Sequence, residues 1–372
     1  MRYFDYCATT PMLPEVMERY MDVQKNYYGN ANSQHQLGLD AKQIIELASK
    51  NILTLLKLDH HQVIFTSGAT ESNNLFIKGV SESNPTKRHG IVSMLEHSSV
   101  IGPLGYLQQR GFEVDFIDCD QDGRMDLSEL EKAIRPDTAF IILVAVDSET
   151  GVVQPINEAA KIAKKHHIPI HCDITQGVGK VRLDLSDISS ISCSSHKLYG
   201  PKGIGCLIKH EELKLTPIIH GGKSTTIYRS GTPPTGLIAA FETALTLAVT
   251  EFSNRHKQVS KVQKYLLERL QEIKDCAINS NAYSVDYVVN ISIMKIDPND
   301  WVDLLSKEGV AISSKSACTG KSNFSKSVFA ITHDENRATS SLRISLSFLT
   351  KCEDIDYLIQ AIKKIQEMQH EA

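Results

Sequence analysis

The chain has 372 residues, 41% of them hydrophobic, and a formal net charge of -4, enough apolar side chain for one large folded unit and a second, smaller one. A mildly acidic balance with no clustered basic face excludes a dedicated nucleic-acid binder, and no apolar run reaches membrane-spanning length. The opening "MRYFDYCATTPMLPEV" lacks the pattern of a secretory signal, so a cytoplasmic location is expected, and the eight cysteines stand in no paired spacing, which favours reduced thiols over a disulfide framework.

In chain order, the segments "QVIFT", "HGIVSM", "FEVDFID", "AFIILVAV", "IPIHCD", "ISSISCS" and "IGCLI" are apolar, strand-length and rich in β-branched residues. Between most of them lie helical patterns: "ESNNLFIKGV", "SSVIGPLGYLQQRG", "DLSELEKAI" and "INEAAKIAKKHH". Strands alternating with helices predict an α/β fold with a mostly parallel sheet covered on both faces, whose ligands bind beyond the carboxyl ends of the strands. From "GLIAAFETAL" to "LLERLQEI" (236–273) the pattern predicts one long helical tract. A smaller α+β unit follows, with strands "YVVNISI", "VAISS" and "LRISLS" and the closing helix "CEDIDYLIQAIKKIQEM". The His-rich pieces "DHHQ" and "KKHHIPIHCD" lack the spacings of a zinc site, so no metal is expected.

The loops after the strands carry the chemistry. "IFTSGATESNN" runs through small residues into a helix, where free N–H groups and hydroxyls can cup a phosphate; an ordinary capped helix is the alternative. "LEHSSV" places His97 after a strand, where imidazole can stack on a flat ring or move a proton. "HCDITQ" places Asp173 just past another strand, suited to hold a proton on a heterocyclic nitrogen, with Gln176 three residues on. "SSHKLYGPKG" sets Lys197 beside Ser194 and His196 before a Pro-Gly turn, a position suited to covalent work. In "SSKSACTGKS", Cys318 stands among polar residues, unlike most cysteines, and invites a reactive-thiol reading. Arg343 in "SSLRIS" offers a fork for a carboxylate, or a structural ion pair. Together these make the inventory of a pyridoxal-phosphate enzyme.

The ordered set "DYCATTP", "YYGNANSQHQLG", "TSGATESNN", "EHSSV", "ETGVVQPI", "HCDITQGVGK", "SSHKLYGPKGIG", "RSGTPP", "SACTGKS" and "SSLRIS" resembles the cysteine desulfurases of the class V aminotransferase group, in the branch with a long loop around the catalytic cysteine. The resemblance implies the fold type I of pyridoxal-phosphate transferases: a large domain over 12–255 with a mixed, mostly parallel seven-stranded sheet, and a small α+β domain from 1–11 and 256–372. It implies pyridoxal 5'-phosphate as cofactor, L-cysteine as substrate, a homodimer, and a sulfur-acceptor protein as partner, in iron–sulfur cluster assembly, tRNA thiolation or service of one dedicated client. By the same resemblance Lys197 carries the cofactor, Asp173 faces the ring nitrogen, Gln176 the phenolic oxygen, and His97 stacks on the ring. Ala69, Thr70, Ser194 and His196 match phosphate contacts, and Thr232 in "RSGT" a contact to the neighbouring subunit's phosphate. Arg343 and Asn30 match the substrate carboxylate region, and Cys318 the nucleophile that takes the sulfur as a persulfide.

Three positions depart from the family pattern. Ser148 replaces the usual asparagine over the ring, "GGKSTTIY" replaces a glycine-rich Glu-Arg-Gly run, and Lys315 stands where glycine is usual. Competing readings are a selenocysteine lyase or class V aminotransferase with the same cofactor, the latter having no need of Cys318, and a low-turnover cofactor-binding scaffold for sulfur-transfer partners. A sulfide assay with cysteine separates the scaffold from an enzyme.

Overall fold

A computed structural model describes residues 1–294, 296–314 and 324–370. Cys318, Lys315 and Lys321 lie outside the described residues. Seven strands form the main sheet: β1 (His61–Thr66), β2 (His89–Ser93), β3 (Glu113–Ile117), β4 (Thr138–Val144), β5 (Ile170–Asp173), β6 (Ser190–Ser194) and β7 (Gly205–His210). Their order is β1-β7-β6-β5-β4-β2-β3. Only β7 runs antiparallel to its two neighbours; the other pairs are parallel. All seven coincide with the apolar runs of the sequence.

The near-continuous apolar character of the central strand β4 follows from burial on both faces, whereas the edge strand β3 is largely exposed. Along β4, Phe140 and Ile142 join one core with Leu75, Phe76, Val100 and Leu104, beneath helices Ala69–Ser83 and Ser98–Gln108. Ile141 and Leu143 point the other way, into the larger core that also takes in Ala160, Ile238 and Phe241. Two helices that the sequence reading does not assign, Pro14–Asn26 and Gln36–Leu56, pack on helix Thr235–Thr250. The first opens with proline in its first turn, where a missing N–H costs nothing.

A second sheet is antiparallel and three-stranded: β8 (Cys276–Ile278), β9 (Val288–Ile293) and β10 (Ser341–Ser345), with β9 central. The N-terminal segment meets it where Asp5 bridges Ser345, and Arg2–Tyr3 forms a separate two-stranded sheet with Val310–Ala311.

The single helical tract expected over 236–273 is instead two helices, Thr235–Thr250 and Phe252–Leu270, bent by 68°. The cause lies in their faces. The first buries residues on most of its circumference, whereas the second offers one stripe, Val259, Val262, Leu266 and Leu270, and packs on the closing helix Cys352–His370. A straight helix could not meet both surfaces. At the bend Arg255 pairs with Glu251 at 2.7 Å and lies over the Phe348 ring at 4.3 Å. Among the described residues no single helix is long and apolar enough to cross a membrane.

Candidate active site

The carboxyl ends of β1, β2, β4, β5 and β6 meet at one edge of the sheet, and the loops that leave them line a single cavity. Its walls include Ala69, Thr70, His97, Ser148, Asp173, Gln176, Ser194, His196, Lys197 and Arg343. The residues expected from scattered motifs are thus brought together by strand order, as an open α/β sheet requires.

After β1 the chain turns through Gly68 (φ +155°) into helix Ala69–Ser83, whose N-terminus has no side-chain cap. Ser194 Oγ, from the end of β6, accepts from Ala69 N–H at 2.7 Å. The approach depends on glycine at two places: a Cβ on Gly205 would lie 2.4 Å from the Cys193 carbonyl oxygen and 2.7 Å from Gly68 Cα. A helix start whose own N-cap residue offers no side chain, flanked by hydroxyls, can hold an anion. His196 stands beside it with Nδ1 3.1 Å from Thr9 Oγ1, and burial, then Lys197 and Lys202, push its pKa down to about 4, so it is a neutral ring at neutral pH.

Lys197 closes a short 3-10 turn, Ser195–Lys197, directly after β6. Its Nζ donates to the carbonyl oxygens of Cys7 and, at 2.7 Å, Ala8. Burial, with Lys180 and Arg343 nearby, pushes its pKa down to about 8, although Cys7 opposes the shift. Two carbonyl acceptors without a carboxylate orient the amine but leave it able to lose its proton. Such a lysine is a nucleophile near neutral pH.

Asp173, at the last residue of β5, is held by neutral donors. Oδ1 accepts from Thr175 N–H and Oδ2 from Asn73 Nδ2, both at 2.9 Å. Asn73 is a buried hub: its Nδ2 also donates to Ser99 Oγ at 2.8 Å, and its Oδ1 lies 2.9 Å from His171 Nε2. Burial depresses the His171 pKa to about 4, so the ring is neutral and its Nε2 carries the proton given to Asn73. Ser99 in turn reaches His97, whose Nδ1 accepts from Ser99 N–H at 3.1 Å. That bond leaves the His97 Nε2 to carry its proton, and burial lowers the pKa of the ring.

The opposite wall belongs to the three-stranded sheet. Arg343 on β10 is 1% exposed, with Nη1 donating to the Ser148 carbonyl at 3.0 Å and Nη2 paired with Asp5 Oδ1 at 2.9 Å. Its Nε is buried with no hydrogen-bond partner among the described residues. The structural ion pair expected as one alternative for this arginine is present, and one of its donors is left without a partner among the described residues. The segment that carries Cys318 departs next to it, since Ser313 bridges Arg343 and its Oγ donates to Asp5 Oδ1 at 2.5 Å. The described chain resumes nearby, with Ser325 Oγ donating to Glu149 Oε2 at 2.5 Å.

Thr232 and Asn30 are exposed on the single chain and do not line this cavity. Several lining groups escape sequence reasoning: the Cys7 and Ala8 carbonyls, Ser99, and Thr175, whose buried hydroxyl has no partner among the described residues. "DYCATTP" stands among the resembling motifs, but a backbone acceptor leaves no side-chain signature.

A deprotonable lysine, a carboxylate on neutral donors, an anion cup, and unspent donors at Thr175 and Arg343 fit a flat, phosphorylated aldehyde that meets an amino acid. Comparison with known proteins agrees. The family model for aminotransferase class V matches residues 2–358. The chain is 36% identical to a protein named mitochondrial cysteine desulfurase from Eremothecium gossypii, over 99% of this chain and 76% of that one. The chain belongs to the cysteine desulfurases of aminotransferase class V. This desulfurase also superposes on a solved NifS-like protein with a TM-score of 0.91 at 30% identity, covering 99% of this chain and all of that one. A structure titled SspA in complex with cysteine matches with a TM-score of 0.80 at 33% identity, over 93% and 99% of the two chains. The desulfurase is a pyridoxal-phosphate-dependent enzyme, as its class is.

Proposed function

We propose that this desulfurase converts L-cysteine to L-alanine and moves the sulfur to Cys318, from which an acceptor protein collects it. When bound, pyridoxal phosphate supplies an electrophilic carbon for amines and an electron sink. Lys197 supplies the neutral amine that holds the cofactor and afterwards carries a proton at Nζ. Ala69, Thr70, Ser194 and His196 bind the phosphate at the helix start, and Asp173 holds a proton on the ring nitrogen. Gln176 donates to the phenolic oxygen, and His97 lies against the ring. Arg343 receives the substrate carboxylate through its unspent Nε. The Cys318 thiol takes the sulfur as the carbon–sulfur bond breaks, giving a persulfide and alanine, so atoms balance without an external oxidant or reductant.

The observation that carries this reading is Lys197, a lysine anchored by backbone carbonyls at the end of β6 and facing Asp173 across one cavity. The placement of Ser313 beside Arg343 and of Ser325 beside Glu149 supports the role of Cys318, because the chain between them starts and ends at the substrate wall.

The reading includes a cytoplasmic homodimer in which Thr232 reaches the phosphate of the neighbouring subunit. Exposed Met17 and Met21 on one helix, Leu37 and Leu47 on another that packs on the same helix Thr235–Thr250, and Tyr28 in the connection between them support such an interface. Arg229 also ties the Thr232 segment to the cup helix through Glu71 at 3.1 Å.

The decisive experiment replaces Cys318 with serine. Borohydride reduction and peptide mapping should still mark Lys197, while release of alanine and sulfide stops. Alanine at the wild-type rate would replace the desulfurase mechanism with a lyase, and a label on Lys202 would overturn the site. Sedimentation of a fully active monomer would remove Thr232 from it.

A further inference from the structure

Behind the cavity lies a second buried lysine that the mechanism above does not use. Lys180 is 9% exposed and sits four residues after Gln176 in the turn that follows β5. Its Nζ donates to Gln176 Oε1 at 2.6 Å. The ionisable groups around it are Cys7, Arg343, Cys193, Lys197 and His196, none of them a carboxylate. Gln176 Nε2 in turn donates to the Cys7 carbonyl at 2.9 Å, the same oxygen that receives Lys197 Nζ. One chain of hydrogen bonds thus runs from Lys180 through Gln176 and the Cys7 carbonyl to the reactive lysine.

The chemistry of that chain is directional. A lysine ammonium has three donors and no acceptor, and a carbonyl oxygen only accepts. Gln176 lies between them, so only one orientation of its amide is satisfied. Turned over, its NH2 would face an ammonium and its oxygen would face a carbonyl, two repulsive contacts in a buried place. The second hydrogen on Nε2 remains free for the cavity.

We propose that Lys180 is a positioning residue: it locks the Gln176 amide so that the cavity is offered N–H and never C=O at this point, which selects an anionic oxygen on the bound cofactor. The inference rests on the reading that the cofactor's phenolic oxygen lies at Gln176. A buried donor that favours the ionised oxygen holds its pKa down, so loss of the lock should raise the pH midpoint at which the bound cofactor changes its visible absorbance. Lys180 also helps hold down the pKa of Lys197 and of His196, so removing its charge acts on them directly as well, and the Gln176→Ala background separates that effect from the lock.

The test is a spectrophotometric pH titration of the holoenzyme, with pyridoxal phosphate affinity measured on the resolved protein. Lys180→Met should move the midpoint up by about one pH unit and weaken cofactor binding by about tenfold. Lys180→Arg, also a pure donor, should restore both. If Lys180→Met does not fold, Lys180→Gln keeps a polar partner that can donate or accept, and its midpoint should fall between wild type and Gln176→Ala. A wild-type midpoint in Lys180→Met, or in its Gln substitute, overturns the proposal. So does a shift that persists undiminished when Gln176→Ala is already present, because Lys180 would then act without the amide. If Gln176→Ala alone leaves the midpoint in place, the failure belongs to the placement of the phenolic oxygen.

Discussion

The wall of the cavity that the main sheet supplies and the wall that the three-stranded sheet supplies satisfy their charged groups differently. On the first, Asp173 accepts from an amide side chain and a backbone N–H, and Lys197 donates to two carbonyls. On the second, Arg343 is already committed to Asp5. A charge held by neutral dipoles keeps most of its field for a ligand, whereas a charge in an ion pair must share it. The main-sheet wall therefore suits a resident cofactor, and the other wall suits a substrate that binds and leaves. Changes on the first should alter cofactor retention, and changes on the second should alter substrate handling with the cofactor in place.

The largest expected effect is on the main-sheet wall. Lys197→Ala should abolish both the borohydride-fixed cofactor and alanine production, read by peptide mapping and product assay. Fixed cofactor on another lysine would break the comparison at its strongest point.

The matching change on the opposite wall is Arg343→Lys. A lysine keeps the charge for Asp5 but loses the fork and its Nε. The KM for cysteine should rise by roughly tenfold to a hundredfold, in line with loss of a charge-assisted bond of about 1.5–3 kcal/mol. Cofactor affinity, measured by titration of the resolved protein, should stay near wild type. A parallel loss of cofactor would show that the two walls are one cooperative unit.

A smaller effect sharpens the first wall alone. The amine reacts only when neutral, and burial first, with Lys180 and Arg343 adding to it, holds the Lys197 pKa at about 8. The initial rate of cofactor uptake should fall about tenfold for each pH unit below that value and level off above it. An ordinary lysine, with a pKa of about 10.4, would still be rising there. A midpoint near that ordinary value would mean that the carbonyl anchors do not keep the amine in its buried place.

The main-sheet wall was also the more legible in sequence. All seven strands follow from apolar runs, most clearly β4, where burial on both faces leaves no polar position but Thr138 to blur the pattern. Lys197, Asp173 and His97 stand directly after such runs and could be placed at one edge from order alone. Asn73 could not, since it sits inside a helical pattern where asparagine reads as surface, and only the approach of β5 makes it the hub for Asp173, Ser99 and His171. Lys180 after Gly179 reads equally as a solvated turn. The bend at Glu251 was hidden because both helices carry good periodicity, and what separates them is the surfaces they meet. Thr232 and Asn30 have no work on a single chain, so their motifs speak only through resemblance.

Ser148 sits on the seam between the walls and gives the smallest and most discriminating prediction. Its side chain lines the cavity after β4, while its carbonyl accepts from Arg343. The family pattern has asparagine here, and a longer amide would reach farther over the ring than a hydroxyl. Ser148→Asn should tighten cofactor binding about threefold, the size of one partly exposed neutral hydrogen bond. The backbone carbonyl is unchanged by the substitution, so Arg343 keeps its anchor and the KM for cysteine should not move. The two quantities, cofactor affinity by titration and KM by alanine release, are read on the same preparation. If both shift together, the side chain at 148 transmits strain into the Arg343 contact, and the division of labour between the walls fails at the residue that joins them.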